Sequence, residues 1–379
     1  MAKLSRELKS QGLDIIDLSL GEPDFRTPQH ICDAAVKAME DGYTKYTPVA
    51  GIPELRQAVC TKLKRDNGLD YLPENIVVST GAKQSLANAV LCLINPGDEA
   101  IIPTPYWVTY AALVSLSEGK PVFVDCGIES DFKISPQKLE AAITDKTRLF
   151  IFSSPCNPTG SVYTRDELAA LVPVFEKHPN ITIVSDEIYE YINYTGKHES
   201  IAQFDSIKDR VVLVNGFSKG FAMTGWRLGY IAANKELAVA CEKLQAQFTS
   251  GTNSIAQRAA VAALLGDLAP SMAMVDAFKE RKEYVIKNLA RIEGIKINNP
   301  AGAFYAFPDV SSFFGKTDGE TVMNTAEDVA MYLLHKGHVT VVDGAAFGSP
   351  NNIRISFAIS MDNLIEATKR IKYALDLLK

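Results

Sequence analysis

The chain predicts an α/β protein: a mostly parallel, seven-stranded sheet in a large domain, beside a smaller, discontinuous α+β domain. Three observations predict it. Short, continuous apolar runs alternate with helical stretches between Asn75 and Ala233, the pattern of strands covered on both faces. Gly81, Trp107, Asn157, Asp186 and Lys219 each fall at or near the carboxyl end of such a run, where open α/β sheets bind ligands. After a long, charge-rich helix ending near Ile292, the composition changes to a second set of helices and strands. The large domain is assigned to residues 31–285, and the small one to 1–30 and 286–379.

Met1 to Gly12 reads as a short amphipathic helix, with Leu4 and Leu8 on one face and Gly12 as its stop. Asp14 to Leu20 alternates as a strand and enters the turn GEPDFRTP. Pro23 and Pro28 stiffen that turn, and Gly21 lets backbone approach a ligand closely. His30 to Asp41 is helical, entered through Pro28. A loop carries an exposed Tyr46, and the next helix opens at Pro53, a favoured first-turn position. The strand NIVVST and the helix GAKQSLANAVLCL follow, then the strand EAIIP and the segment TPYWVTYAALVSLS. KPVFVD and RLFIFSS are further strands, and Leu168 to Phe175 is a helix interrupted by Pro173. ITIVSDEIY, VVLVNGFSK and RLGYIAA complete the sheet. The long helix runs from about Ser271 to Ile292. Beyond it lie the helix NTAEDVAMYLLHKG, the strands VTVVDG and NNIRISFAIS, and a last helix from Met361. The first strand is expected to join this C-terminal part.

Composition narrows the function. A chain of 379 residues suffices for one large domain and a smaller one. A net charge of −6 without a basic run argues against nucleic-acid binding. Six scattered cysteines without a C-x-x-C pair fit free thiols in a reducing compartment, not disulfides or a zinc site. The five histidines show no H-E-x-x-H, so no metal is expected. No apolar run reaches membrane-spanning length and no cleavable leader is evident, so a cytoplasmic location is expected.

The chemistry centres on VNGFSKGFAMTGWRLGY, Val214 to Tyr230. Apart from a few polar residues the segment is apolar or glycine, so it reads as buried. A buried ammonium is unfavourable unless it is neutralised or has reacted. One stable solution for Lys219 is a Schiff base to an aldehyde cofactor. Arg227, eight positions on, suits a two-pronged grip on a phosphate dianion, and the pair suggests pyridoxal phosphate. A surface lysine beside a glycine is the other reading. Asp186 can pair with a pyridine nitrogen and keep it protonated, or serve as a helix cap or ion-pair partner. Tyr189 can donate to a phenolate oxygen, or simply pack. Asn157, barred from helix by Pro158, can reach the same oxygen, or be an ordinary turn residue. Gly81 and Ala82 open a helix whose free amides and dipole attract phosphate. Lys83 beside them can contact a phosphate or an acidic substrate, or lie in solvent. Trp107 can stack on an aromatic cofactor, or belong to the core. Arg354, in an apolar strand, needs a partner: a substrate carboxylate or an internal acid.

The ordered motifs TKYTPVAGIPELR, GAKQ, PYWVTY, NPTG, VSDEIYE, SKGFAMTGWRLGY and RIS resemble the class I pyridoxal-phosphate aminotransferases of fold type I. The bacterial aspartate aminotransferases are the nearest branch, and the resemblance runs nearly end to end. It implies that Lys219 is the Schiff-base lysine and the acid–base at the substrate Cα. It implies that Asp186 holds the pyridine nitrogen, Asn157 and Tyr189 the phenolic oxygen, and Trp107 the ring face. Gly81, Ala82, Arg227 and Ser218 would hold the phosphate. Tyr46 would reach the phosphate in a partner subunit, which implies a homodimer with shared sites. Gly21 and Arg354 would receive the α-carboxylate, with Trp107 and Asn157 also facing substrate. Lys83 would receive the distal carboxylate of an acidic substrate.

Two departures follow from the same resemblance. Relatives begin some two dozen residues earlier, with a segment that covers the active site, so either closure or substrate affinity is weakened here or the family segment is simply absent. Gly216 stands where animal-type relatives carry a phosphate-binding serine, a change the bacterial branch tolerates. The animal-type branch's distal-carboxylate arginine, from the neighbouring subunit, has no counterpart between Cys241 and Gln257, which leaves the task to Lys83. The expected activity is transfer of an amino group from L-aspartate to 2-oxoglutarate, with ping-pong kinetics. Alternatives of the same fold are aminotransferases for aromatic, alanine-type or prephenate substrates, and a C–S β-lyase. A ligand-sensing module is disfavoured by the lack of a basic or helix-turn-helix extension.

Overall fold

The structure, a computed structural model, describes residues 2–379; Met1 of the expected first helix lies outside the described residues. That helix spans Ala2–Ser10. The strand expected over Asp14–Leu20 contracts to β1 (Ile16–Asp17). The Leu18 amide still donates to the Thr340 carbonyl (2.9 Å), but the Ser19 amide and hydroxyl both donate to Asp17 Oδ1 (2.9 and 2.6 Å). A side-chain acceptor there competes with a strand partner, as Asp does in turns.

The central sheet contains β2 (Ile76–Ser79), β3 (Glu99–Thr104), β4 (Lys120–Asp125), β5 (Thr147–Ser153), β6 (Thr182–Asp186), β7 (Val211–Gly216) and β8 (Gly229–Ala232). Their order is β2-β8-β7-β6-β5-β3-β4. β8 runs antiparallel to both its neighbours, and the other pairs are parallel. The apolar runs are continuous because successive residues serve two cores. Ile76, Val78, Phe150 and Phe152 pack on one face, while Val77, Leu149 and Ile151 pack on the other. This is the period-two geometry of a strand buried on both sides.

The helix expected to break at Pro173 runs unbroken from Arg165 to Lys177. Val172, Val174 and Phe175 are buried around the proline, so packing offsets the lost backbone donor. A capping box between Thr164 and Glu167 fixes its start.

The C-terminal part holds β9 (Tyr305–Ala306), β10 (Val339–Thr340), β11 (Val342–Asp343) and β12 (Ile353–Ser356). The expected strand VTVVDG therefore divides: β10 pairs parallel with β1, and β11 pairs antiparallel with β12. NNIRISFAIS contributes only β12, whose far edge pairs with β9. Ile16 and Leu18 share a core with Phe304, Ile355, Leu364 and Ile371, so the first strand joins the C-terminal part. Met274, Phe278, Val285 and Leu289 of helix Ala269–Leu289 also face that core. Tyr189 and Ile192, just past β6, reach into it from the central sheet. The seam between the cores thus runs past the carboxyl end of β6. Among the described residues, no single helix is long and apolar enough to cross a membrane.

Candidate active site

Lys219 follows β7 and its side chain enters a cavity of about 390 Å³. Its Nζ donates to the Gly21 carbonyl (2.5 Å). Burial lowers its pKa to about 8, with Glu22 opposing and Arg354 and Arg227 adding to the fall. A lysine so placed is partly neutral near physiological pH, as an amine acting on protons or carbonyls requires.

The surrounding segment is less buried than its composition predicts. Phe217, Phe221, Met223 and Leu228 are core residues, but Gly225 and Arg227 are exposed. Arg227 adopts a left-handed backbone, φ 57°, which turns its side chain towards the open cavity wall. Its Nη1 donates to the Thr224 carbonyl (3.0 Å). The guanidinium lies on Gly81, where a Cβ would fall 2.5 Å from Nη2. Gly81, at φ 84°, is also the residue before helix Ala82–Leu93. One guanidinium therefore sits beside the unsatisfied first amides of a helix, an arrangement suited to phosphate.

Asp186 ends β6 and is 4% exposed. It accepts the Tyr110 hydroxyl on Oδ2 (2.8 Å) and the Ile188 amide on Oδ1 (3.3 Å). Burial raises its pKa to about 6, opposed by these two hydrogen bonds. Between the ordinary value of 3.8 and about 6 the folded protein holds this proton more tightly than the unfolded chain. Its stabilising share is complete below pH 3.8 and is lost as pH rises through about 6. In the cofactor-free protein, Asp186→Asn should therefore gain on the parent by about 3 kcal/mol over that interval. Urea midpoints of both proteins measured from pH 4 to 7 test this, and a flat difference would refute it.

Tyr189 shares a hydrogen bond with the Tyr305 hydroxyl (2.8 Å), and burial pushes its phenol well above the usual range. The Tyr305 oxygen lies 2.8 Å from where a Gly21 Cβ would stand, so only glycine leaves it that place. Arg354 Nη1 donates to Asn157 Oδ1 (3.0 Å), and Nη2 to the Ser19 carbonyl (2.9 Å). Its guanidinium lies over the Tyr305 ring, 4.6 Å from the centroid. Its Nε is buried without a partner, and among the described residues no carboxylate lies within ion-pair distance. The internal ion pair that would have explained a buried arginine is thus missing. Lys83 likewise has no acidic partner among the described residues; its Nζ lies over the Trp107 ring, 4.9 Å from the centroid.

The cavity gathers Gly21, Ala82, Lys83, Trp107, Asn157 and Asp186 with Tyr189, Ser218, Lys219, Arg227 and Arg354. Gly81 stands behind Arg227. Tyr46 is elsewhere: it is 97% exposed, in a separate depression with Tyr43 and Arg258. Tyr110, Ser153, Ile188, Thr224 and Tyr305 also line the cavity and were missed in the sequence. Tyr110 was findable, since it stands one helical turn after Trp107. Tyr305 was not, because GAFYAF carries no polar signal of its own. The donor set suits a flat aromatic ring with a basic nitrogen and a phosphate: a buried carboxylate without a cation, an aromatic wall, an amine, and an arginine at a helix start.

Comparison with known proteins agrees with this geometry. The family described as aminotransferase class I and II matches residues 13–371. An aspartate/prephenate aminotransferase of Nitrosomonas europaea is 49% identical over 98% of this chain and 94% of its own length. The crystal structure of the aspartate aminotransferase from Rhizobium meliloti superposes with a TM-score of 0.97 at 42% identity, over 100% of this chain and 95% of that one. The aspartate aminotransferase from Thermus thermophilus with maleate gives 0.92 at 38% identity, over 98% and 95%.

Proposed function

The chain belongs to the class I and II aminotransferases, and on that premise we propose that it moves the amino group of L-aspartate to 2-oxoglutarate, yielding oxaloacetate and L-glutamate. Pyridoxal 5'-phosphate is the cofactor in this reading. When bound, it supplies an aldehyde carbon for the amino group and a ring that withdraws electrons from the substrate Cα. Lys219 anchors it and then takes the proton from Cα. Asp186 holds the ring nitrogen, Tyr189 and Asn157 the phenolic oxygen, and Trp107 a ring face. Arg227, Ser218, Gly81 and the free amide of Ala82 hold the phosphate. Arg354 and the Gly21 backbone receive the substrate α-carboxylate.

The observation that carries the acidic substrate is the pair of cations without acidic partners, Arg354 and Lys83, lining the same cavity as Lys219. A dicarboxylate satisfies both. The Thermus thermophilus relative carries maleate, itself a dicarboxylate. Prephenate is the second reading, supported by the name of the Nitrosomonas europaea relative. L-Aspartate should bleach the visible absorption of the cofactor-loaded enzyme and raise a near-ultraviolet band. Lys83→Ala should raise KM for aspartate roughly 10- to 100-fold, the loss of one charge-assisted contact. Its KM for alanine should stay within about twofold. Equal losses for both amino acids would remove Lys83 from substrate recognition, and ammonia with pyruvate as products would mean a lyase.

The exposed Tyr46, outside the cavity, supports a homodimer in which this residue reaches the partner's site. The six free thiols suit a cytoplasmic location. We keep residues 31–285 as the large domain and 1–30 with 286–379 as the small one, with helix Ala269–Leu289 packing its apolar face into the C-terminal core.

A further inference from the structure

We propose that Tyr110 is a positioning residue that aims Asp186 and holds it ionised, so that the proton it shares stays on the cofactor ring. The inference rests on the assignment of Asp186 to the ring nitrogen. Tyr110 is 1% exposed, and its hydroxyl donates to Asp186 Oδ2 at 2.8 Å. Among the described residues, the other carboxylate oxygen has only the longer contact from the Ile188 amide, 3.3 Å. Oδ1 is therefore the oxygen left for a ligand, and Oδ2 the one tied to the protein. Burial holds the Tyr110 phenol well above its usual range, so it remains a donor. A donor to the ionised form of a carboxylate favours that form. Without it Asp186 becomes more basic and competes with the ring nitrogen for the proton.

The mount is rigid. The Tyr110 amide donates to the Trp107 carbonyl (2.9 Å), and the two rings meet edge to face, 5.7 Å apart at 88°. The residue assigned to the ring face and the one that aims the carboxylate are thus one turn at the head of helix Thr109–Leu116. Displacing either moves the other.

Tyr110→Phe keeps the ring and removes the hydroxyl. In cofactor-free protein labelled with ¹³C-aspartate, with the signal assigned through Asp186→Asn, the Asp186 midpoint should rise by roughly one to two pH units. In the loaded enzyme kcat should fall about tenfold, with KM within about twofold, and the cofactor should dissociate more readily. Replacing Tyr110 by 3-fluorotyrosine, a stronger donor, should move the midpoint the other way. An unmoved midpoint in both variants overturns the proposal. So does a shifted midpoint with unchanged kcat and cofactor affinity. If Asp186→Asn is equally silent in the loaded enzyme, the assignment of the ring nitrogen is what has failed.

Discussion

Lys219→Ala is expected to lower turnover by about 10⁴-fold or more while leaving the fold intact. Among the described residues that line the cavity, Lys219 is the amine whose acidity is adjusted for proton transfer at neutral pH, at about 8. Tyr189 sits too high on the pH scale to take its place, and Asp186, tied through Oδ2 to Tyr110, is assigned to the ring nitrogen. The fold has little stake in the amine, whose hydrogen bond goes to the Gly21 carbonyl. The linkage sign gives a second readout that needs no cofactor. The folded pKa lies below the ordinary 10.5, so folding must discharge or desolvate a proton-bearing group. That burden is complete below pH 8 and disappears as pH rises to 10.5. Lys219→Met should therefore stabilise the cofactor-free protein at pH 7, and the gain should vanish near pH 10.5. Single-turnover assays and thermal unfolding across that range check both parts. Near-native turnover by Lys219→Ala would end the assignment.

Lys62→Ala should destabilise the protein by about 3–5 kcal/mol, the usual result of orphaning a buried charge. Lys62 and Glu190 are 1% and 4% exposed and form an ion pair. Lys62 also donates to Asn67 Oδ1 (2.8 Å), and Glu190 accepts from Asn215 Nδ2 (2.6 Å). Glu187 accepts the Ser185 and Ser200 hydroxyls (2.8 and 2.6 Å) and pairs with His198 Nε2 (2.8 Å). Desolvation opposes charge on His198, but Glu187 outweighs it and raises the pKa. Glu187, Glu190 and His198 approach closely enough to share a cation, yet protein donors already hold both carboxylates. Within one turn of chain, Asp186 and Tyr189 face the cavity while Glu187 and Glu190 face this network. Lys62→Met with Glu190→Leu should be far milder than Lys62→Ala, because no charge is stranded. A lower urea midpoint with an unchanged slope is the expected readout, and a loss under 1 kcal/mol for Lys62→Ala would show that water reaches Glu190.

The two predictions differ in how they could be found. Lys219 announces itself: a lysine and an arginine in an apolar turn are visible without coordinates. Lys62 reads as one more charge on helix Pro53–Asn67, and its burial comes from Glu190, far along the chain. Asn157 was identified from its proline, but its bond to Arg354 joins two elements that share no local pattern.

The sequence alone determined what repeats over short distances. The apolar runs specified six of the seven strands, because a strand buried on both faces must be apolar at successive positions, while the edge strand β4 leaves Lys120, Phe123 and Asp125 exposed. The residues just after those runs specified the site, because parallel strands bring their carboxyl ends to one edge. Tertiary structure decided what depends on a neighbour distant in sequence. It shortened β1 and carried the helix through Pro173. It left Arg227 exposed at the cavity and set Tyr110 and Tyr305 against Asp186 and Tyr189. A hydroxyl's partner and a side chain's burial are set by packing between elements, and no local periodicity encodes that packing.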